Sequence, residues 1–289
     1  LSFDRIFEKS DLKTSIVHWD TSNVRAMYGA FLSMKSDVDV SLWDVGNVVV
    51  MSSMFNGATS FNSDISGWDV SRVTNMSSMF NGATKFDQNL SKWDTHSVID
   101  MSSMFRDATS FNGDISGWDV SWVMNMSSMF NGATKFDQNL SNWKTHSVTN
   151  MLSMFNGATS FNGDVSKWDT HSVVNMSSMF NGATKFNQNL SNWKTHNVWN
   201  MSGMFSGATS FNCDISGWDV SGVRVIDKMF YGAKMFDQSL EKWDVRNTSS
   251  LYDFFKESGI SKENYCKTIQ NLVFKENKDK LGISFVCEP

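Results

Sequence analysis

The chain has 289 residues, with 25 Lys plus Arg against 30 Asp plus Glu and a formal net charge of −5. That acid excess argues against a nucleic-acid binder, which carries a basic surplus. At 40% hydrophobic and 19% charged residues the chain can bury a core, no window reaches the roughly 18 consecutive apolar residues of a membrane span, and three Cys are too few for a disulfide scaffold.

Leu1 is not Met, so an upstream segment is expected, and residues 1–17 are too interrupted by charge to be the apolar stretch of a signal peptide. Phe3, Ile6 and Phe7 have helical spacing and predict an N-terminal cap over residues 1–18.

From residue 19 to 250 an internal repeat dominates. Ten of the twelve Trp form a series from Trp19 and Trp43 to Trp243, the first step 24 residues and the others 25. Counting from Trp68, Val73, Met76, Met79, Phe80, Phe86 and Leu90 recur in column after column. A unit this short cannot bury its apolar side alone and must lend it to its neighbours. The spacing of Val73, Met76, Met79 and Phe80 predicts a short helical turn. Asp64-Ile65-Ser66 predicts a short strand with one buried face, and Asn-Gly-Ala at 56–58, 81–83 and 131–133 predicts a turn with Gly left-handed. The expected product is an α/β solenoid of about ten 25-residue coils, each with one short parallel strand and one short helical turn, plus terminal caps. At about 4.8 Å per stacked strand the rod is roughly 48 Å long. The alternation of Asp64, Asn89, Asp114, Asn139 and Asp164 reads as a device that keeps like charges apart between coils.

Residues 251–289 leave the repeat and predict a C-terminal cap. Ser261 is placed to cap a helix over 262–273 with Tyr265, Ile269, Leu272 and Val273 on its apolar side. A charged turn from Lys275 to Lys280 and a strand through Leu281, Ile283 and Phe285 follow. Cys266 and Cys287 both lie in this cap and can pair in an oxidising compartment, although spacing alone does not place their Cα atoms. Cys213 shares a column with Ser63, Gln88 and Gly113 and is expected to be exposed and unpaired.

The hallmark W-D-V-S-x-V-x-x-M-x-x-M-F-x-x-A, met by residues 68–83, resembles the 25-residue repeat of BspA-like leucine-rich-repeat surface proteins, and the segment GISKENYCKTIQNL resembles the closing segment of such arrays. The resemblance implies a leucine-rich-repeat-like right-handed superhelix. It also implies a cell-surface or secreted location and adhesion or binding to host or matrix proteins. It brings no catalytic residues.

Several columns invite a chemical role. His96, His146, His171 and His196 share one, and imidazoles on consecutive coils suit Zn²⁺ or Ni²⁺, but no further ligand is fixed beside them and the bland reading is a solvated surface. Asp64, Asp114, Asp164 and Asp214 suggest calcium, yet their alternation with Asn disperses the oxygens that calcium needs at one point. The Thr rank from Thr59 to Thr209 raises ice binding, against which stands the Lys on alternate rungs. The Met and Phe columns point to core rather than to an adaptable groove. The Asn-x-Ser triplets, such as Asn75 and Asn125, belong to the repeat itself.

Departures from the repeat are the remaining signal. Trp122 stands where other coils have Arg72, Ser97 and Ser147, Trp199 where others have Thr74 and Ile99, and Arg106-Asp107 replaces an Asn-Gly turn. Trp and Arg are common interface anchors, so Trp122, Arg106 and Trp199 are the candidate binding residues, set against neutral drift. No nucleophile with a paired base and no phosphate loop occurs. The expectation is a non-enzymatic monomer that needs no cofactor or metal, binds a protein ligand and neither binds nucleic acid nor enters a membrane. A structural spacer and an ice-binding surface are the alternatives.

Overall fold

The computed structural model describes residues 1–271, 282 and 285–287. Its backbone is organised by one ladder. Ser2, Ala26, Val50, Asn75, Asp100, Asn125, Asn150, Asn175, Asn200 and Val225 are joined by nine parallel bridges, each to the equivalent residue one period on. Nine steps of about 4.8 Å make the ladder about 43 Å long.

Only one residue per period joins this ladder, and the sequence explains why. The Asn75 Oδ1 accepts the Ser77 N–H at 2.9 Å, which curls the chain immediately after the bridge. Ser78 then takes a left-handed backbone, φ 56°. The expected helical turn over Val73–Phe80 therefore does not form. Instead, N–H groups alternate between two jobs. Met79 donates to Met76 and Asn81 to Ser78 within the turn, whereas Met76, Ser78, Phe80 and Gly82 donate to Asp100, Ser102, Met104 and Arg106 of the next coil. The inward apolar pattern survives because turns of this kind also return every third or fourth side chain to one face. The strand expected at Asp64-Ile65-Ser66 is likewise a turn: Ser66 N–H donates to Asp64 Oδ1 at 2.9 Å, and Ile65 is buried. Gly57, Gly82 and Gly132 do take the left-handed conformation, and Asp107 takes it in place of a Gly.

The core is a set of aromatic columns. Phe55, Phe80, Phe105 and Phe130 stack at 5.5–5.7 Å, and Phe61, Phe86 and Phe111 form a second column at 5.7–5.9 Å. From Trp93 to Trp243 the indoles stack at 6.1–6.5 Å. Each buried indole from Trp43 onward donates its N–H to a carbonyl of the preceding coil, as Trp143 does to Ile115 at 3.1 Å, so its one polar atom is satisfied inside the core. Trp19, the first of the series, is 42% exposed. Where Thr replaces Val in a neighbouring column, its hydroxyl finds a partner too: the fully buried Thr145 donates to the Asp169 carbonyl at 2.9 Å.

The two ends differ. Residues 1–10, expected as a helical cap, lie in the register of the repeat itself. Phe3, Arg5, Phe7 and Lys9 donate to the carbonyls of Ala26, Tyr28, Ala30 and Leu32, and Phe7 stacks on Phe31 at 5.3 Å. The carbonyls of Ser2, Asp4, Ile6 and Glu8 occupy the positions of those four acceptors and receive no donor among the described residues. At the other end α1, Lys262–Asn271, closes the stack. Ser261 caps it, Asn264 N–H reaching Ser261 Oγ at 3.3 Å. The helix then imitates a further coil. Ser261 N–H and Asn264 Nδ2 both donate to Asp237 Oδ1, as Asp237 N–H and Gln238 Nε2 do to Asn212 Oδ1. Tyr265 is buried against Phe255. Cys266 is joined to Cys287 with Cα atoms 5.5 Å apart. The expected helix residues Leu272 and Val273, the charged turn Lys275–Lys280 and the strand residues Leu281 and Ile283 lie outside the described residues.

Candidate binding face

The residue just before each bridge faces outward. Reading along that column gives Arg25, Val49, Thr74, Ile99, Met124, Thr149, Val174, Trp199 and Arg224. Each donates its backbone N–H to the carbonyl of the previous member at 2.8–3.0 Å, so the side chains form one straight row at the ladder spacing. Ile99, Met124 and Trp199 are 47%, 52% and 46% exposed. Two residues before the row the coils carry Asn47, Arg72, Ser97, Trp122, Ser147, Ser172 and Asn197, and three residues after it Ser77, Ser102, Ser127 and Leu152. Trp122, 69% exposed, stands two residues before Met124 on the same coil.

Of the three residues singled out from sequence, two therefore meet on this face. Trp199 is a member of the row, and Trp122 adjoins it. Three rungs, about 14 Å, separate Met124 from Trp199. Arg106 lies in a different column, the one holding Asn81 and Asn131, and its Nε sits 3.4 Å from Asp107 Oδ2. The structure gives it no link to either Trp. Sequence reasoning treated Trp122 and Trp199 as isolated departures and missed Val49, Ile99, Met124 and Val174. The signal was present: from Trp43 to Trp193 the position six residues after each Trp is apolar or Thr.

The other columns resolve into local chemistry. Asp64, Asn89, Asp114 and Asn139 all accept the N–H two residues on, at 2.9 Å each. Asp and Asn exchange freely there because only one Oδ is used. The Ser66 and Ser166 N–H groups hold the carboxyls of Asp64 and Asp164 below the usual carboxylate range. The Thr rank spends its hydroxyls internally: Thr84, Thr134, Thr159, Thr184 and Thr209 each donate to the carbonyl of the preceding Thr at 3.2–3.4 Å. His96 Nδ1 lies 2.8 Å from Asp94 Oδ1 and His171 Nδ1 3.0 Å from Asp169 Oδ1. Burial raises the Asp169 carboxyl, but the His171 side chain and backbone N–H together with the Lys194 ammonium outweigh it and leave the pKa lowered. Among the described residues no three His, Cys, Asp or Glu side chains gather as a metal would require. Cys213, expected to be exposed, is half-buried and unpaired. Burial pushes its thiol pKa up, and its Sγ accepts the Leu190 N–H at 3.2 Å.

In-register contacts from one period to the next, with one variable row facing outward, define a tandem-repeat protein. The chain belongs to the family described as "Mycoplasma protein of unknown function, DUF285", whose model matches residues 1–108, 86–173 and 160–267. No curated protein matches the chain.

Proposed function

We propose that this chain is a leucine-rich-repeat-like solenoid of the BspA-like kind, a non-enzymatic cell-surface or secreted protein that binds a protein partner through the row ending at Trp199. The observation that carries the reading is the alignment in one outward row of exposed Val49, the pair Ile99 and Met124, and the pair Val174 and Trp199, interrupted by Thr74 and Thr149, with Trp122 beside Met124. Scattered surface apolar residues are ordinary, but exposed apolar side chains gathered on one face mark an interaction site. Nothing in the core explains these residues. Each is buried less than two-thirds, and its backbone bonds would form with any side chain. The Cys266–Cys287 link supports an oxidising compartment, where such bonds persist.

The test immobilises the protein and captures partners from host or matrix extract, beside a double variant Trp122→Ser, Trp199→Thr. Both replacements already occur at these positions in other coils, so the fold tolerates them. Loss of the captured protein in the variant supports the role. A chain that retains nothing is a spacer, and capture unchanged in the variant places binding elsewhere.

A further inference from the structure

Seven Asn-Gly pairs occur in the repeat, at 56–57, 81–82, 112–113, 131–132, 156–157, 162–163 and 181–182. The stack treats them in two ways. In five of them the Gly is left-handed and its N–H is committed to the next coil: Gly57, Gly82, Gly132, Gly157 and Gly182 donate to carbonyls one period on at 2.6–2.7 Å. The side-chain amide oxygens of these five Asn accept no hydrogen bond among the described residues.

At 112–113 and 162–163 both features are reversed. Gly113 and Gly163 donate their N–H to no acceptor among the described residues. Asn112 Oδ1 instead accepts two donors, Asp137 N–H at 2.9 Å and Gln138 Nε2 at 3.1 Å. Asn162 Oδ1 accepts Asn187 N–H at 2.9 Å and Gln188 Nε2 at 3.0 Å. Both Asn are exposed. Packing requires Gly at 113 and 163, because an added Cβ would run into the Gln88 and Gln138 carbonyl oxygens. No side chain therefore shields the nitrogen.

We infer that Asn112 and Asn162 are sites of spontaneous deamidation, and that the stack protects the other five pairs. The Gly113 nitrogen gives up its proton to hydroxide and attacks Cγ of Asn112. A C–N bond forms, the Cγ–Nδ2 bond breaks, and Nδ2 leaves as ammonia with a proton taken from water. Water then opens the five-membered imide at either carbonyl, giving Asp or its isomer with the backbone routed through the side chain. No oxidant or reductant enters. During the attack negative charge develops on Oδ1, where two donors already stand, and such preorganised donors stabilise it strongly. In the protected pairs the nitrogen cannot swing toward its own side chain without breaking a bond between coils, and Oδ1 has no donor. The Asp product fits the stack. Asp87 and Asp137 hold the same place in this column, and their Oδ1 atoms accept the N–H of Asn112 and Asn162 at 2.7 Å. Conversion at both sites would put carboxylates on four successive coils, from 87 to 162, where Asn now separates them.

The experiment incubates the whole protein in mildly alkaline buffer and follows each Asn-Gly peptide by mass spectrometry after digestion. Asn112 and Asn162 are expected to convert at least about tenfold faster than the other five. In urea all seven present the same dipeptide in an open chain, and the difference should vanish. Gln138→Met removes one donor at similar side-chain length and should slow Asn112 alone severalfold. Gln188→Met should do the same at Asn162 alone. A native rate at Asn112 or Asn162 no higher than at the protected pairs overturns the inference. So does a difference that persists in urea, which would place its cause in the flanking sequence, or a rate at either Asn that its Gln variant leaves unchanged.

Discussion

The indole column can be tested at one rung. Trp143 is 2% exposed, stacks between Trp118 and Trp168 at 6.5 and 6.1 Å, and donates Nε1–H to the Ile115 carbonyl. In Trp143→Phe, loss of roughly three heavy atoms leaves a void of roughly 40 Å³, and the transfer and cavity terms together cost about 2 kcal/mol. The lost hydrogen bond adds about 1 kcal/mol. It adds no more because the Ile115 carbonyl keeps the Trp118 backbone N–H at 3.2 Å. The expected loss is about 3 kcal/mol in urea unfolding followed by far-ultraviolet dichroism. Trp19→Phe, at the exposed first rung, should cost under about 1 kcal/mol, since little of its surface leaves water. Equal costs at the two positions, or a cost below about 1 kcal/mol at Trp143, would refute the claim that the buried indoles hold the coils together.

Three further outcomes follow from the backbone and the charges. Ser128 sits at φ 56°, where Gly203 stands two coils beyond Ser153; Ser128→Gly should leave the melting temperature unchanged or raise it slightly, while Ser128→Val should cost about 2 kcal/mol because a β-branched residue resists that conformation. Reducing the Cys266–Cys287 link, which closes a 21-residue separation, should release about 3 kcal/mol of chain restraint, read as a lower melting temperature in dithiothreitol and faster proteolysis of the C-terminal end; no change would show that α1 docks without it. The carboxyls of Asp64, Asp164 and Asp214 are held below their ordinary range by the N–H groups of Ser66, Ser166 and Ser216. Their contribution is complete above about pH 4 and is lost as pH falls through the native pKa values. The urea midpoint should therefore drop steeply below about pH 4, and a triple Asp→Asn variant should flatten that drop while matching the parent at pH 7, as Asn89, Asn139 and Asn189 make the same turn.

The period, the inward columns and the positions that neighbour each other across coils were legible because each is written ten times over. Local conformation was not. The spacing of Val73, Met76, Met79 and Phe80 fits a helix and a chain of turns equally well. What excludes the helix is the left-handed Ser78, and serine carries no mark of that conformation as glycine does. The Asp–Asn alternation looked electrostatic, but both residues serve as one acceptor oxygen. The outward row was half legible. Trp122 and Trp199 announced themselves as departures, whereas Ile99, Met124 and Val174 were hidden by looking like ordinary aliphatic variation. Residues 1–10 misled for a related reason: Phe3 and Phe7 sit in the core columns of Met27 and Phe31, and a truncated period resembles an amphipathic turn.

The bonding between coils has a direction. In the turn segments N–H groups point toward the C-terminal end and carbonyls toward the N-terminal end, where the Ser2, Asp4, Ile6 and Glu8 oxygens receive no donor among the described residues. Only N–H groups can be laid against these oxygens, so a segment that continues the stack at this face has to bring its donors in the same polarity, as Phe3, Arg5, Phe7 and Lys9 do for the coil that follows them.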